Sequence, residues 1–261
     1  MEYLYDKSWY QEAYQAGSLL AEPANNYRID GNFIVAFGFE KGILGDYRTL
    51  VVDAKRGELL LKQSTNSLLT HLVNDDLFGG ILLQKAISEI LKIKEQHVVS
   101  TGGGAIFSLE SFHTSGTDLV ALQKMEKVEC RGKQIMFTEL ASSNHYLLDP
   151  PRSFAQSYKQ EGESIMHNAF YTALLHRMNG NLSSEVLGGT ASGLLNRPQY
   201  QRFVDNYLAR EGITLKKLMD QIEDGKRVRI KKRFKDLNLP VQAMDLDYVF
   251  EQTDKDGKFR M

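Results

Sequence analysis

Short apolar runs closed by turn residues recur between helical stretches through the first half of this chain, which reads as strands and helices mixed. Asn32 to Phe37, Arg48 to Asp53 and Glu58 to Lys62 are five or six residues each, and Lys55-Arg56-Gly57 separates the last two as a hairpin turn. The pattern predicts a small antiparallel unit, preceded by a short helix around Ser8 to Ala21 and a polar turn at Pro23-Ala24-Asn25-Asn26. His97-Val98-Val99 reads as a further short strand. Lys127 to Cys130 and Lys133 to Phe137 read as a second hairpin turning at Arg131-Gly132.

Elsewhere the apolar period lengthens. Ile81, Leu82, Ala86, Ile87, Ile90 and Leu91 recur at three- and four-residue spacing, which is one face of a helix, with Asn74-Asp75-Asp76 as its polar lead-in. Leu148-Asp149-Pro150-Pro151-Arg152 is the best boundary, because consecutive prolines hold the preceding backbone extended. Beyond it, Ser164 to Met178 reads as a helix ending at Asn179-Gly180, and Gly188 to Gly193 as a flexible connector. Pro198 opens a helix that Gly212 stops, and Thr214 caps another carrying Leu215, Leu218, Met219 and Ile222. The expected fold class is therefore α+β. A mixed strand and helix unit with a glycine-rich loop spans residues 1–149, followed by a mainly helical unit with a basic strand over 150–261.

At 42% hydrophobic and 25% charged, 261 residues can bury a core as one large or two small domains. The longest apolar runs fall far short of the roughly 20 residues of a bilayer span, so a soluble chain is expected. The start, Met1-Glu2-Tyr3-Leu4-Tyr5-Asp6, lacks the basic and apolar regions of a secretory signal, and Cys130 stands alone. Both agree with a reducing, cytoplasmic setting, and the single cysteine excludes an intramolecular disulfide. Six histidines form no H-x3-H or H-E-x-x-H pair, so no metal site is expected. Cys130, beside His145 or His113 in a nucleophile and base reading, fits better as a small buried hydrophobe.

Charge is unevenly spread. Lys226, Arg227, Arg229, Lys231, Lys232, Arg233 and Lys235 put seven positive charges into ten positions of a chain whose formal net charge is -1. Val228, Ile230 and Phe234 alternate with them, so an extended strand would present the charges on one face, where they could track a phosphate backbone. From Arg197 to Lys235, twelve cations face five acids. Two helices before a basic strand are similar to helix-turn-helix units with a β wing, although Leu208 occupies a place that such units keep small. Regularly spaced cations would contact phosphates without reading bases, and Phe234 is the one aromatic within the run. Nucleic acid or an acidic protein surface is the expected partner. The competing reading is a solvated or subunit-docking face, which would make the chain a structural part of an oligomer or larger assembly.

A second candidate is Ser100-Thr101-Gly102-Gly103-Gly104, whose glycines and hydroxyls would suit a phosphorylated small molecule, the more so if Ala105 to Phe112 were a helix offering its amino end. The alternative is a tight turn. No P-loop or dinucleotide motif is present, and no motif fixes a cofactor. Gly38, Gly42, Gly45 and Lys62 look superficially like a kinase lobe, but the chain has no His-Arg-Asp and no Asp-Phe-Gly. Arg48, Ser100-Thr101 and Glu126 or Glu129 follow the order of the ADP-ribosyltransferase site, which they resemble. That resemblance implies arginine on the NAD pyrophosphate and glutamate stabilising an oxocarbenium-like transition state. The chain departs from the family in having Ser-Thr-Gly for Ser-Thr-Ser and no Glu-x-Glu. The leading expectation is a polyanion-binding or assembly protein acting through the basic segment; a nucleotide- or NAD-handling enzyme is the alternative.

Overall fold

A computed structural model describes the chain at residues 3–73, 80–93, 97–101, 103–110, 116–142, 144–150, 154–179, 193–196 and 198–211. The chain divides into two compact units, Met1–Gly212 and Ile213–Met261. The second, which contains the basic run and the helix expected from Thr214, lies outside the described residues. Within the first unit the α+β expectation holds.

Strand β3 (Phe33–Gly38) is buried along its whole length, which is why its sequence is a continuous apolar run rather than an alternation. It lies mid-sheet. Together β2 (Glu22–Ala24), β4 (Thr49–Asp53), β5 (Gly57–Leu61), β6 (Val98–Ser100), β7 (Ala105–Ser108) and β8 (Leu119–Ala121) complete a seven-stranded sheet in the order β2-β5-β4-β3-β8-β7-β6. All pairs are antiparallel except β2 with β5. The expected polar turn at Pro23-Ala24 is thus the parallel edge strand β2, a position where proline's missing N–H leaves no ladder bond unmade.

A four-stranded sheet, ordered β1 (Leu4–Tyr5), β11 (His145–Leu148), β10 (Gln134–Glu139), β9 (Met125–Arg131), packs on one face of the first. Val35, Phe37, Leu50, Phe107 and Val120 meet Val128, Ile135, Phe137 and Tyr146 there. Alternate residues, among them Ala36, Val51, Ile106 and Leu119, point to the other face, which α2 (Thr65–His71) covers with Leu68 and Leu69. A bulge between Phe33 and Val35 lets Ile34 and Val35 both join the inter-sheet core. The chain passes from one sheet to the other through a 3-10 turn at Leu122–Lys124, and α1 (Lys7–Gln15) adds Tyr10 to the same core.

Three helices sit toward the β6 side. Of these, α3 (Gly80–Ile90) and α5 (Pro198–Glu211) both pack on α4 (Phe154–Asn179), which also touches β6, β7 and β10. The expected helix from Ser164 begins ten residues earlier, because Ser157, Gln160 and Glu161 are buried polar residues that interrupt the apolar period of a helix facing inward. Two other expectations fail. Ala105–Ser108 is strand β7, not a helix, and Cys130 is exposed at the β9–β10 turn, its Sγ 3.4 Å from the Gly132 carbonyl oxygen.

Gly38, at the end of β3, lies so close to Gly116 that an added Cβ would sit 2.5 Å from the Gly116 carbonyl carbon and oxygen. Backbone gives way less easily than a side-chain tip. Gly38→Ala should therefore destabilise the unit by about 1–3 kcal/mol, read as a lowered midpoint of thermal unfolding. Gly57→Ala, at φ +75 in the β4–β5 turn with no atom within 4 Å of the new methyl, should cost only about 1 kcal/mol.

Candidate functional site

The glycine-rich loop closes the β6–β7 hairpin, and Thr101 is bonded across it. Thr101 donates to the Gly104 carbonyl oxygen through its backbone N–H (2.9 Å) and through its hydroxyl (2.9 Å). Ala105 N–H donates to Gln123 Oε1 at 3.0 Å, and Ser100, Thr101, Gly103 and Gly104 are all buried. Gly102 lies outside the described residues. The donors of Thr101 and the N–H of Ala105 are therefore engaged inside the protein and turned away from a phosphate.

Nor do the residues of the NAD reading gather. Arg48 precedes β4, and three strands, β3, β8 and β7, lie between β4 and β6. Following the ladders, Thr49 pairs with Gly38 at one end of the sheet, whereas Ser100 pairs with Ala105 at the other. Four strand spacings already amount to roughly 19 Å. Glu126 and Glu129 are on β9 of the second sheet, where Glu129 pairs with Lys127 at 2.6 Å. Lys226, Arg227, Arg229, Lys231, Lys232, Arg233 and Lys235 lie outside the described residues.

What the structure does bring to Ser100 is His167 of α4, 67 positions away in sequence. Ser100 Oγ is 2.8 Å from His167 Nδ1, and His167 Nε2 is 2.8 Å from the Gln84 carbonyl oxygen on α3. A carbonyl only accepts, so Nε2 carries the proton and Nδ1 accepts from the serine hydroxyl. The Gln84 side chain completes the ring: its amide donates to the Ser100 carbonyl oxygen (2.7 Å) and its Oε1 accepts from Ser100 N–H (2.9 Å). A parallel tie joins β6 to α4, where His97 Nδ1 donates to the Ser108 carbonyl oxygen (3.0 Å) and Nε2 accepts from the Gln160 amide (2.9 Å).

Serine hydrogen-bonded to an oriented neutral histidine has the makings of a nucleophile and its base. Here both side chains are 0% exposed, so no substrate reaches the hydroxyl, and the pair works as a peg holding two helices to an edge strand. Burial drives the His167 pKa down to about 4. The legible signal was the polar stripe Ser157, Gln160, Glu161, Ser164 and Asn168, which recurs at helical spacing along α4 and is buried throughout.

A buried charge, Asp118, lies at the far end of the sheet. Asp118 accepts from Lys7 Nζ (2.8 Å) and from Gly38 N–H (3.0 Å), fastening α1 beside the Gly38–Gly116 approach. Desolvation raises its pKa to about 6 against the pull of Lys7. Among the described residues no group of three His, Cys, Asp or Glu side chains could hold a metal ion, and no helix is long and apolar enough to cross a membrane. No protein-family model, curated protein or solved structure matches the chain.

The depressed His167 pKa makes stability pH-dependent with a definite sign. Between pH 6.5 and about 4 the unfolded histidine binds a proton that the native one refuses, so its contribution is whole above 6.5 and lost as pH falls through that window. The full loss is about 3 kcal/mol. His167→Gln should flatten the fall in unfolding midpoint between pH 6.5 and 4, relative to the parent, while lowering the midpoint at pH 7. Asp118 acts in the opposite sense: its raised pKa costs stability as pH rises from 3.8 to about 6. Asp118→Asn should accordingly steepen the acid fall that His167 produces.

Proposed function

We propose that this chain is a polyanion-binding protein whose partner is nucleic acid, and that Lys226, Arg227, Arg229, Lys231, Lys232, Arg233 and Lys235 supply the binding charge. The observation that carries the reading is the density of that run, seven cations in ten positions. Each phosphate neutralised by a lysine or arginine releases condensed counterions, so a cluster of this kind gains affinity mainly from salt release.

The distribution of charge over the chain supports the reading. Residues 1–212 hold 20 Lys and Arg against 24 Asp and Glu, whereas residues 213–261 hold 12 against 9. The surplus of positive charge is therefore confined to the part that carries the run. Several cations of the first unit are also committed internally, as with Arg56 on Asp53 (2.8 Å) and Asp30 (3.2 Å), and Lys7 on Asp118. The net negative charge of residues 1–212 disfavours general adsorption of a polyanion there, whereas the net positive charge of residues 213–261 attracts it, which orients the encounter.

The test is fluorescence anisotropy of a labelled 20-nucleotide oligomer titrated with the full chain over a series of salt concentrations. Neutralising Arg229→Gln, Lys231→Gln and Arg233→Gln together should weaken binding at low salt by at least tenfold. It should also reduce the slope of log K against log salt by about 2, at roughly 0.7 per single-strand phosphate contact. Equal affinity and slope before and after would end the proposal.

A further inference from the structure

An aromatic ring on α5, Phe203, is exposed. The described outward side chains of this helix are Gln199, Arg202, Phe203, Asn206 and Arg210, which fall within an arc of about 100°. None is acidic. Phe203 is 48% exposed, an unusual setting for a ring that gains so much from burial.

The ring is nonetheless anchored. Phe203 stacks on Tyr207 at 6.0 Å between centroids and 24° between planes, and Tyr207 meets the fully buried Phe170 edge-on at 6.4 Å. The Tyr207 hydroxyl donates to the Ile90 carbonyl oxygen on α3 at 3.1 Å, and Arg210 lies 5.9 Å over the Tyr207 ring. Phe203 is thus the surface end of a ring ladder that begins in the core, and holding it in place costs a partner little entropy.

Resting on the nucleic-acid reading above, we propose that this face of α5 binds single-stranded nucleic acid, with an unpaired base stacked on Phe203 and the flanking backbone phosphates met by Arg202 and Arg210. A planar apolar ring complements a base face, guanidinium groups complement phosphates, and the amides of Gln199 and Asn206 can bond to base edges. Paired bases are already stacked, so the ring discriminates single strands from duplex. The cationic run supplies attraction to either; Phe203 supplies the preference.

The full-length protein is titrated with a labelled 20-nucleotide thymidine oligomer and with a blunt duplex of the same length. Phe203→Ala should weaken the single strand about tenfold or more and leave the duplex and both salt slopes unchanged. Phe203→Trp should restore the affinity, and Phe203→Leu, which keeps apolar bulk without a π face, should not. Phe203→Ala binding the single strand as tightly as the parent overturns the inference, as does rescue by Leu, which would point to an apolar protein-docking contact. In either case loss of binding on neutralising Arg229, Lys231 and Arg233 still upholds the polyanion reading. A parent protein that binds neither oligomer at low salt overturns both. Unchanged thermal unfolding of the Phe203 variants confirms that the fold is intact.

Discussion

Burial of the seven-stranded sheet on both faces is the constraint on which the rest of the first unit depends. A sheet with two dry faces needs cover on each, and the chain provides α2 on one side and a second sheet on the other. That choice dictates the crossover at Leu122–Lys124, where the chain leaves β8 and enters β9 within three residues. It also dictates the apolar character of β3, since any polar side chain at Phe33 to Phe37 would be stranded without water.

Two buried polar clusters then lock the layers at opposite ends of the sheet. Near the β6–β7 hairpin, Ser100, Gln84 and His167 bind an edge strand to two helices; at the other end, Asp118 and Lys7 bind α1 to the turn beside Gly38. Apolar packing is nearly indifferent to small rotations of a helix, whereas a satisfied polar ring is not, so these clusters specify how the helices sit. The cost is sensitivity to acid: a neutral histidine sealed inside must take up a proton when the chain opens below pH 6.5.

Much of this was legible in the sequence wherever turn residues bound a short run or one face of an element met solvent. The β4–β5 hairpin follows its apolar runs and turn residues, the β9–β10 hairpin its partly exposed strands and turn, and α5 begins at Pro198 and ends at Glu211, just before Gly212. Local pattern failed where tertiary burial overrode it. The first ten residues of α4 carry polar groups that face inward, which conceals the helical period, and Ala105–Ser108 is buried strand although a glycine run before it suggests a helix start. The pairing of Ser100 with His167 joins residues from two elements that share no local motif, so only a three-dimensional arrangement reveals it. Conversely, Arg48, Ser100-Thr101 and Glu126 stand in a suggestive order along the chain yet occupy opposite sheet ends and a different sheet.

The proposed polyanion sites are the outward face of α5 and residues 226–235, apart from the two sheets, beside which cations such as Arg56 and Lys7 are paired internally. Ultraviolet cross-linking of a bound single-stranded oligomer, followed by mass-spectrometric mapping of the adducts, reads that separation directly. Adducts should concentrate on α5 around Phe203 and on residues 226–235, with the two sheets unmarked. Adducts clustered on the β6–β7 hairpin or on the strands, and absent from both predicted segments, would contradict it.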